Sequence, residues 1–181
     1  MGQGHLQLAQ TQAELGLTDS SLVSAHRALT RGEDSASVAA FALARGNALY
    51  RSATATPDRQ ELLGALRFLS FADSVRSSPQ SSFLLGATAV AVAQGSAAEA
   101  PAVRSCDLAR LAASLLPVAR TKLAQGAEVA PDAARQYLDY VEQLASVVAQ
   151  QVSSLCPDAP ANARLTLAAR PFRLPRPAHH A

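Results

Sequence analysis

Along most of this chain apolar residues recur three and four positions apart, the spacing that gathers them on one face of a helix. The first such stretch runs from about Gly4 to Leu15 and closes on Gly16, a residue suited to the left-handed position just past a helix end. Asp19 or Ser20 is placed to cap a second helix, with Leu22, Ala25 and Leu29 on its stripe and Arg31-Gly32 at its end. A third spans about Ser37 to Ser52, with Val38, Phe41, Ala42 and Leu49 to one side. The fourth starts at Thr56-Pro57-Asp58-Arg59, with Thr at the cap, Pro in the first turn, and Asp58 and Glu61 toward the positive end of the helix dipole. Its apolar set (Leu62, Leu63, Leu66, Phe68, Leu69, Phe71, Val75) is wide enough to be covered on more than one side.

Ser78-Pro79 punctuates the chain before a fifth helix, about Ser81 to Gln94, which is apolar nearly all round and therefore reads as an inner helix. Small residues from Gly95 to Pro101 read as a link. A sixth helix follows from about Val103 to Ala124, with Leu108, Leu111, Leu115, Ala119 and Leu123 on its stripe and Pro117 expected to kink or break it. Gly126 ends it. Pro131-Asp132 opens the seventh, whose Tyr137, Val141, Leu144, Val148, Val152 and Leu155 keep the cleanest helical spacing in the chain, and Pro157 stops it. From Pro157 to Ala181 five prolines and four arginines without periodicity read as a disordered, weakly basic tail.

Composition agrees with an all-α chain. There are 40 Ala, no Ile, no Trp and eight other aromatic residues in 181, which favours closely approaching helices and leaves little to build a sheet. Fifteen of the sixteen basic residues are Arg, Lys122 being the exception, and genomic codon bias accounts for that as it does for the alanines. A net charge of +2, with no basic run interleaved by aromatics, argues against nucleic-acid binding. The most apolar stretch, Phe83 to Ala93, falls short of the roughly 18 residues that span a bilayer, so no membrane span is expected. Met1 to Gln10 lacks the basic start and apolar run of a signal peptide.

Lining up the second, fourth and sixth helices gives an offset of 40 residues twice. Ala25, Leu29 and Gly32 then coincide with Ala65, Leu69 and Ala72, and with Ser105, Ala109 and Ala112; Gly46 and Gly86 are also 40 apart. Ala65-Leu69-Ala72 resembles the small-large-small pattern of the second helix of a tetratricopeptide (TPR) repeat, and Gly46 within Arg45-Gly46-Asn47-Ala48-Leu49-Tyr50 looks like its first-helix glycine. The period exceeds the family's 34, and its first-helix Trp is missing. The resemblance covers roughly Gly4 to Ala112. It implies stacked antiparallel hairpins in a right-handed superhelical α-solenoid, here over about residues 1–101, closed by a long capping hairpin over 102–156 and followed by the 157–181 tail. It also implies binding of a protein or peptide partner, with no particular binding residue carried over.

Candidate chemistry is sparse. His5 and His26 have no Cys, His or carboxylate at ligand spacing, Asp139 and Glu142 read as a solvated pair, and His179-His180 sit together on the tail without a third ligand. No catalytic, cofactor or metal site is expected, and the chain reads as non-enzymatic. The informative pair is Cys106 and Cys156, 50 residues apart near the outer ends of the last two helices. Two outcomes are open: a disulfide closing this hairpin, worth roughly 4 kcal/mol through loop closure and implying an oxidising compartment, or two buried thiols in a cytoplasmic protein. Counted outward from Gly126 and Pro131, Cys106 is 20 positions out and Cys156 is 25, a mismatch of about 7.5 Å for the kink at Pro117 or an unwound last turn to absorb. The expected role is an interaction or scaffolding module; the alternative is an assembly subunit that seals through apolar faces around Leu84 to Val92 and the last hairpin.

Overall fold

A computed structural model describes residues 2–156; the expected tail over 157–181, with His179 and His180, lies outside the described residues. Seven helices account for nearly all of them, in the order α1 (Gly2–Glu14), α2 (Thr18–Thr30), α3 (Ser35–Ala55), α4 (Arg59–Val75), α5 (Pro79–Val103), α6 (Cys106–Gln125) and α7 (Pro131–Leu155), with no strand among the described residues. The chain is all-α.

Local chemistry sets the ends. Gly16 (φ +75°) and Gly32 (φ +84°) take the left-handed conformation after α1 and α2, and the next residue's N–H in each case reaches back to close the final turn, Leu17 to Gln12 O and Glu33 to Ala28 O. Asp34 caps α3 by accepting from the Ser37 N–H at 2.9 Å. Asp58 caps α4 by accepting from the N–H groups of Gln60 and Glu61. Ser78 and Ser81 form a reciprocal capping box at α5, with Pro79 in its first turn. Ser105 caps α6.

Several expected boundaries move. Asp19 and Ser20 cap nothing: α2 begins at Thr18 behind Leu17, which makes no side-chain cap bond. Thr56 terminates α3 instead of starting α4, whose cap is Asp58, the residue directly before Arg59, with its carboxylate in reach of the first free N–H groups. The largest correction concerns Gly95 to Pro101. These residues are not a link but the last third of α5, which runs 25 residues. Alanine dominates the stretch and carries helix propensity through the single Gly95, while Pro101 falls in the last turn. The break comes only at Arg104, which ends α5 at φ 48°. Pro117 does not break α6 either: the helix is continuous from Cys106 to Gln125.

Because α5 is longer than expected, it meets the length and composition of a membrane span, with mean hydropathy 1.2 over its most apolar 18 residues. Two thirds of that window (67%) is buried inside the fold, as in a core helix. Ala89, Val90, Val92, Ala93 and Ala97 of α5 pack with Ala112, Leu115, Leu116, Ala119 and Leu123 of α6 and with Val141, Leu144 and Val148 of α7. The face from Leu84 to Val92 is thus covered by the chain's own helices.

Packing is most extensive between α1 and α2, between α3 and α4, and between α5 and α6, with α7 laid against α6 and α5. The α1–α2 pair touches only α3 and α4. The sixth helix therefore partners the fifth before the seventh, and residue 101 lies inside a helix.

Two glycines report the register within hairpins. A Cβ on Gly46 would stand 2.6 Å from Leu69 Cγ; one on Gly86 would stand 2.8 Å from both Leu123 Cγ and the Leu123 backbone nitrogen. Gly86 of α5 thus does for α6 what Gly46 of α3 does for α4, but against Leu123. The counterparts of Ala65, Leu69 and Ala72 are consequently Ala119, Leu123 and Gly126, and not Ser105, Ala109 and Ala112. Ala72 shares a cluster with Leu43, three residues before Gly46, and Gly126 lies against the backbone of Phe83, three residues before Gly86. Gly46 is nine residues from the end of α3 and Leu69 ten into α4, whereas Gly86 and Leu123 are both seventeen from their connecting ends. The α5–α6 hairpin is longer by about two turns per helix, and its connecting end extends about 11 Å farther from the glycine contact than that of α3–α4.

Candidate functional site

The connecting end of α5–α6 carries the cysteine pair. Cys106 is the first residue of α6 and Cys156 the residue that closes α7. Their Cα atoms are 5.1 Å apart and their sulfurs stand at disulfide-bonding distance. Cys156 is almost fully buried (1% exposed) and Cys106 half-buried.

The five-residue mismatch is absorbed at the opposite end of the helices. Arg120 of α6 pairs with Glu142 of α7. Arg120 is fourteen residues past Cys106 and Glu142 fourteen before Cys156, so one antiparallel register serves both contacts and passes through Pro117 unchanged. The excess is taken up by the turn over Gly126 to Ala130 and the first turn of α7. Neither a break at Pro117 nor an unwound last turn is needed, since α7 stays helical to Leu155.

A second constellation escaped sequence reasoning. Asp73, near the end of α4, accepts hydrogen bonds at Oδ1 from Ser81 (2.8 Å) and Ser82 (3.0 Å) of α5, and at Oδ2 from Lys122 Nζ (2.7 Å) of α6. Lys122 also donates to Gln125 Oε1. The Asp73 side chain is only 8% exposed. Burial alone would raise its carboxyl pKa, but the bonds from Lys122, Ser81 and Ser82, with the Lys122 charge, outweigh burial and hold it below the ordinary carboxylate value. The one signal in the sequence was Lys122 itself, the single lysine of the chain. The Ser77 hydroxyl also donates to Oδ1 (3.2 Å), and the cluster joins three helices.

The third polar contact spans farther. The hydroxyls of Tyr50 (α3) and Tyr137 (α7) are 3.2 Å apart, and the Tyr137 ring meets Phe83 (α5) edge to face. Burial and the neighbouring phenol push the Tyr50 hydroxyl well above its ordinary pKa. An Arg45 nitrogen of α3 donates to Ala13 O at the end of α1 (2.6 Å), tying the first hairpin to the second.

The histidines are not brought together with other ligands: His26 is exposed and His5 half-buried. Asp139 is exposed, and its expected neighbour Glu142 pairs with Arg120 instead. Among the described residues no three His, Cys, Asp or Glu side chains converge. Two shallow, open depressions lie on the surface of the first hairpin. One, about 330 Å³, is lined by Gln3, Leu6, Gln7, Gln10, Glu33 and Ser37. The other, about 440 Å³, lies where the α1–α2 turn meets α4, beside Leu17, Leu63 and the Arg67–Asp19 pair. Exposed apolar side chains gather on the same hairpin: Leu8, Leu15, Leu17 and Val23. Leu15 is 70% exposed, the highest value for a large apolar residue among the described residues.

No family model matches the chain, and no curated protein or solved structure is significantly similar to it.

Proposed function

We propose that this chain is a non-enzymatic protein-interaction module: a right-handed stack of TPR-like helical hairpins that holds a protein or peptide partner against its helix faces. One observation carries the reading. The first hairpin packs only on the second, and α7 packs on α5 and α6, reaching α3 through the single Tyr50–Tyr137 hydroxyl contact. Helical repeats that contact only their neighbours keep broad faces free for a partner. The exposed Leu8, Leu15, Leu17 and Val23 add apolar side chains on the first hairpin that the other described residues leave uncovered.

The alternative, an assembly subunit, is favoured by a different observation: Val118 of α6 and Val147 of α7 are both exposed. It no longer draws on Leu84 to Val92, which is internal. Light scattering on the purified chain, followed by selection from a displayed peptide library, tests the two readings together. The expected result is a monomer that selects peptides whose solution affinity is lost in the double variant Leu8→Glu, Leu15→Glu. An obligate oligomer that dissociates in the double variant Val118→Glu, Val147→Glu would overturn it in favour of assembly.

A further inference from the structure

The bridged end of α7 is built differently from the rest of that helix. Val141, Leu144 and Val148 are buried in the large core shared with α5 and α6. Past Val148, Ala149, Gln150, Ser153 and Ser154 are exposed, and Val152 and Leu155 only half-buried. Those two cover a small cluster of Ala100, Leu108 and Ala109 at the extended end of the α5–α6 hairpin, and of the two only Val152 also touches the large core. The one long-range side-chain hydrogen bond there, Gln151 Nε2 to Ala97 O, leaves Gln151 Oε1 buried without a partner. Cys156 is the most deeply buried residue of the last turn. A helix end held by two half-buried side chains frays readily, because its final carbonyls have no intrahelical partner. Here the sulfur bridge reinforces a thin core.

We propose that the Cys106–Cys156 bridge is a redox latch: its reduction by a dithiol releases the last turn of α7 and uncovers the apolar patch of Ala100, Leu108 and Ala109, while the core beneath stays folded. Both sulfurs are placed for this. Cys106 is half-buried, the accessible member, and it opens α6, where free N–H groups and the positive end of the helix dipole favour a thiolate. One thiolate of the dithiol attacks Cys106 Sγ; the S–S bond breaks and its electron pair goes to Cys156 Sγ, which takes up a proton. The second thiolate of the same dithiol then attacks its own sulfur in the mixed disulfide. That releases Cys106 as a thiolate at the α6 N-terminus and leaves the dithiol as a cyclic disulfide. Two electrons pass from dithiol to bridge. A thiolate stabilised in the reduced state is the property that separates reducible bridges from inert structural ones.

The experiment is hydrogen exchange by mass spectrometry on the full chain, oxidised and after dithiothreitol, with intact mass recorded in both states. The double variant Cys106→Ser, Cys156→Ser serves as a permanently open form. The expected result is a gain of two hydrogens on reduction and a loss of protection of about tenfold or more at residues 152–156, in the reduced chain and the variant alike. Protection over Leu115 to Leu123 and Val141 to Val148 is expected to stay unchanged, and the bridge to be reduced by a glutathione buffer as well. Three results would overturn the proposal: no mass change with reductant, unchanged protection at 152–156 once reduced, or loss of protection throughout α5 to α7.

Discussion

Glycine, aspartate and cysteine each act in this chain through one close contact. Gly46 and Gly86 are positions where helices approach until a methyl group would overlap a leucine of the facing helix. Gly46→Ala is expected to destabilise the chain by about 1–3 kcal/mol, read from denaturant unfolding, since Leu69 must leave its rotamer to make room. Asp73 shows the electrostatic side. Its carboxyl pKa is lowered in the fold, so its contribution is complete above the unfolded value and fades as pH falls through the folded one. Asp73→Asn is therefore expected to cost about 2 kcal/mol near neutral pH by leaving Lys122 without its counter-charge, with the difference from wild type closing below about pH 4. A melting-temperature difference that stays constant down to pH 3 would show that Asp73 acts through shape alone. Beyond the lone lysine, the Asp73 cluster was not readable beforehand, because its partners Ser81, Ser82 and Lys122 lie on two other helices.

At the scale of elements, the helices with a single apolar stripe were the most legible. The whole stripe of α7, from Tyr137 to Leu155, faces inward as its spacing requires, and Pro131 opens the helix where it was expected. Helix α5 was misjudged for a physical reason. Gly95 and Pro101 read as breakers, yet alanines between them hold the helix, and Gly95 has open space where its side chain would be. Gly95→Ala should accordingly stabilise the chain by about 0.5–1 kcal/mol, as expected of an exposed mid-helix glycine and not of a flexible link. Arg104 offers the opposite test. It occupies the left-handed position that Gly16 and Gly32 fill elsewhere, so Arg104→Gly should raise stability by about 1 kcal/mol despite removing a side chain. Unchanged or lowered melting temperatures in both variants would place the α5–α6 break elsewhere.

Across the whole molecule, composition was enough for the all-α class, but the register of the hairpins was not in the sequence. The match of Ser105, Ala109 and Ala112 to Ala65, Leu69 and Ala72 arises because an alanine-rich chain supplies small residues at almost any spacing. The true counterparts, Ala119, Leu123 and Gly126, emerge only from the contact of Gly86. Once the two extra turns in each of α5 and α6 are placed, the cysteines follow: the long hairpin needs a cover, α7 supplies it, and the bridge closes its far end. The pair was visible in the sequence as a possibility; that Cys156 is almost fully buried and Cys106 only partly so was not.

Packing of each hairpin chiefly on its neighbours is the property on which the proposed binding role rests, and limited proteolysis of the Ala25→Asp variant tests it most directly. Ala25 is fully buried among Ala9, Ala28 and Val38, so a carboxylate there opens the first hairpin. The expected result is rapid cleavage within α1 and α2 and survival of a resistant fragment from near Ser35 through Cys156, identified by mass. Degradation of the whole chain at one rate, with no resistant fragment, would mean a single cooperative bundle and would contradict the stack.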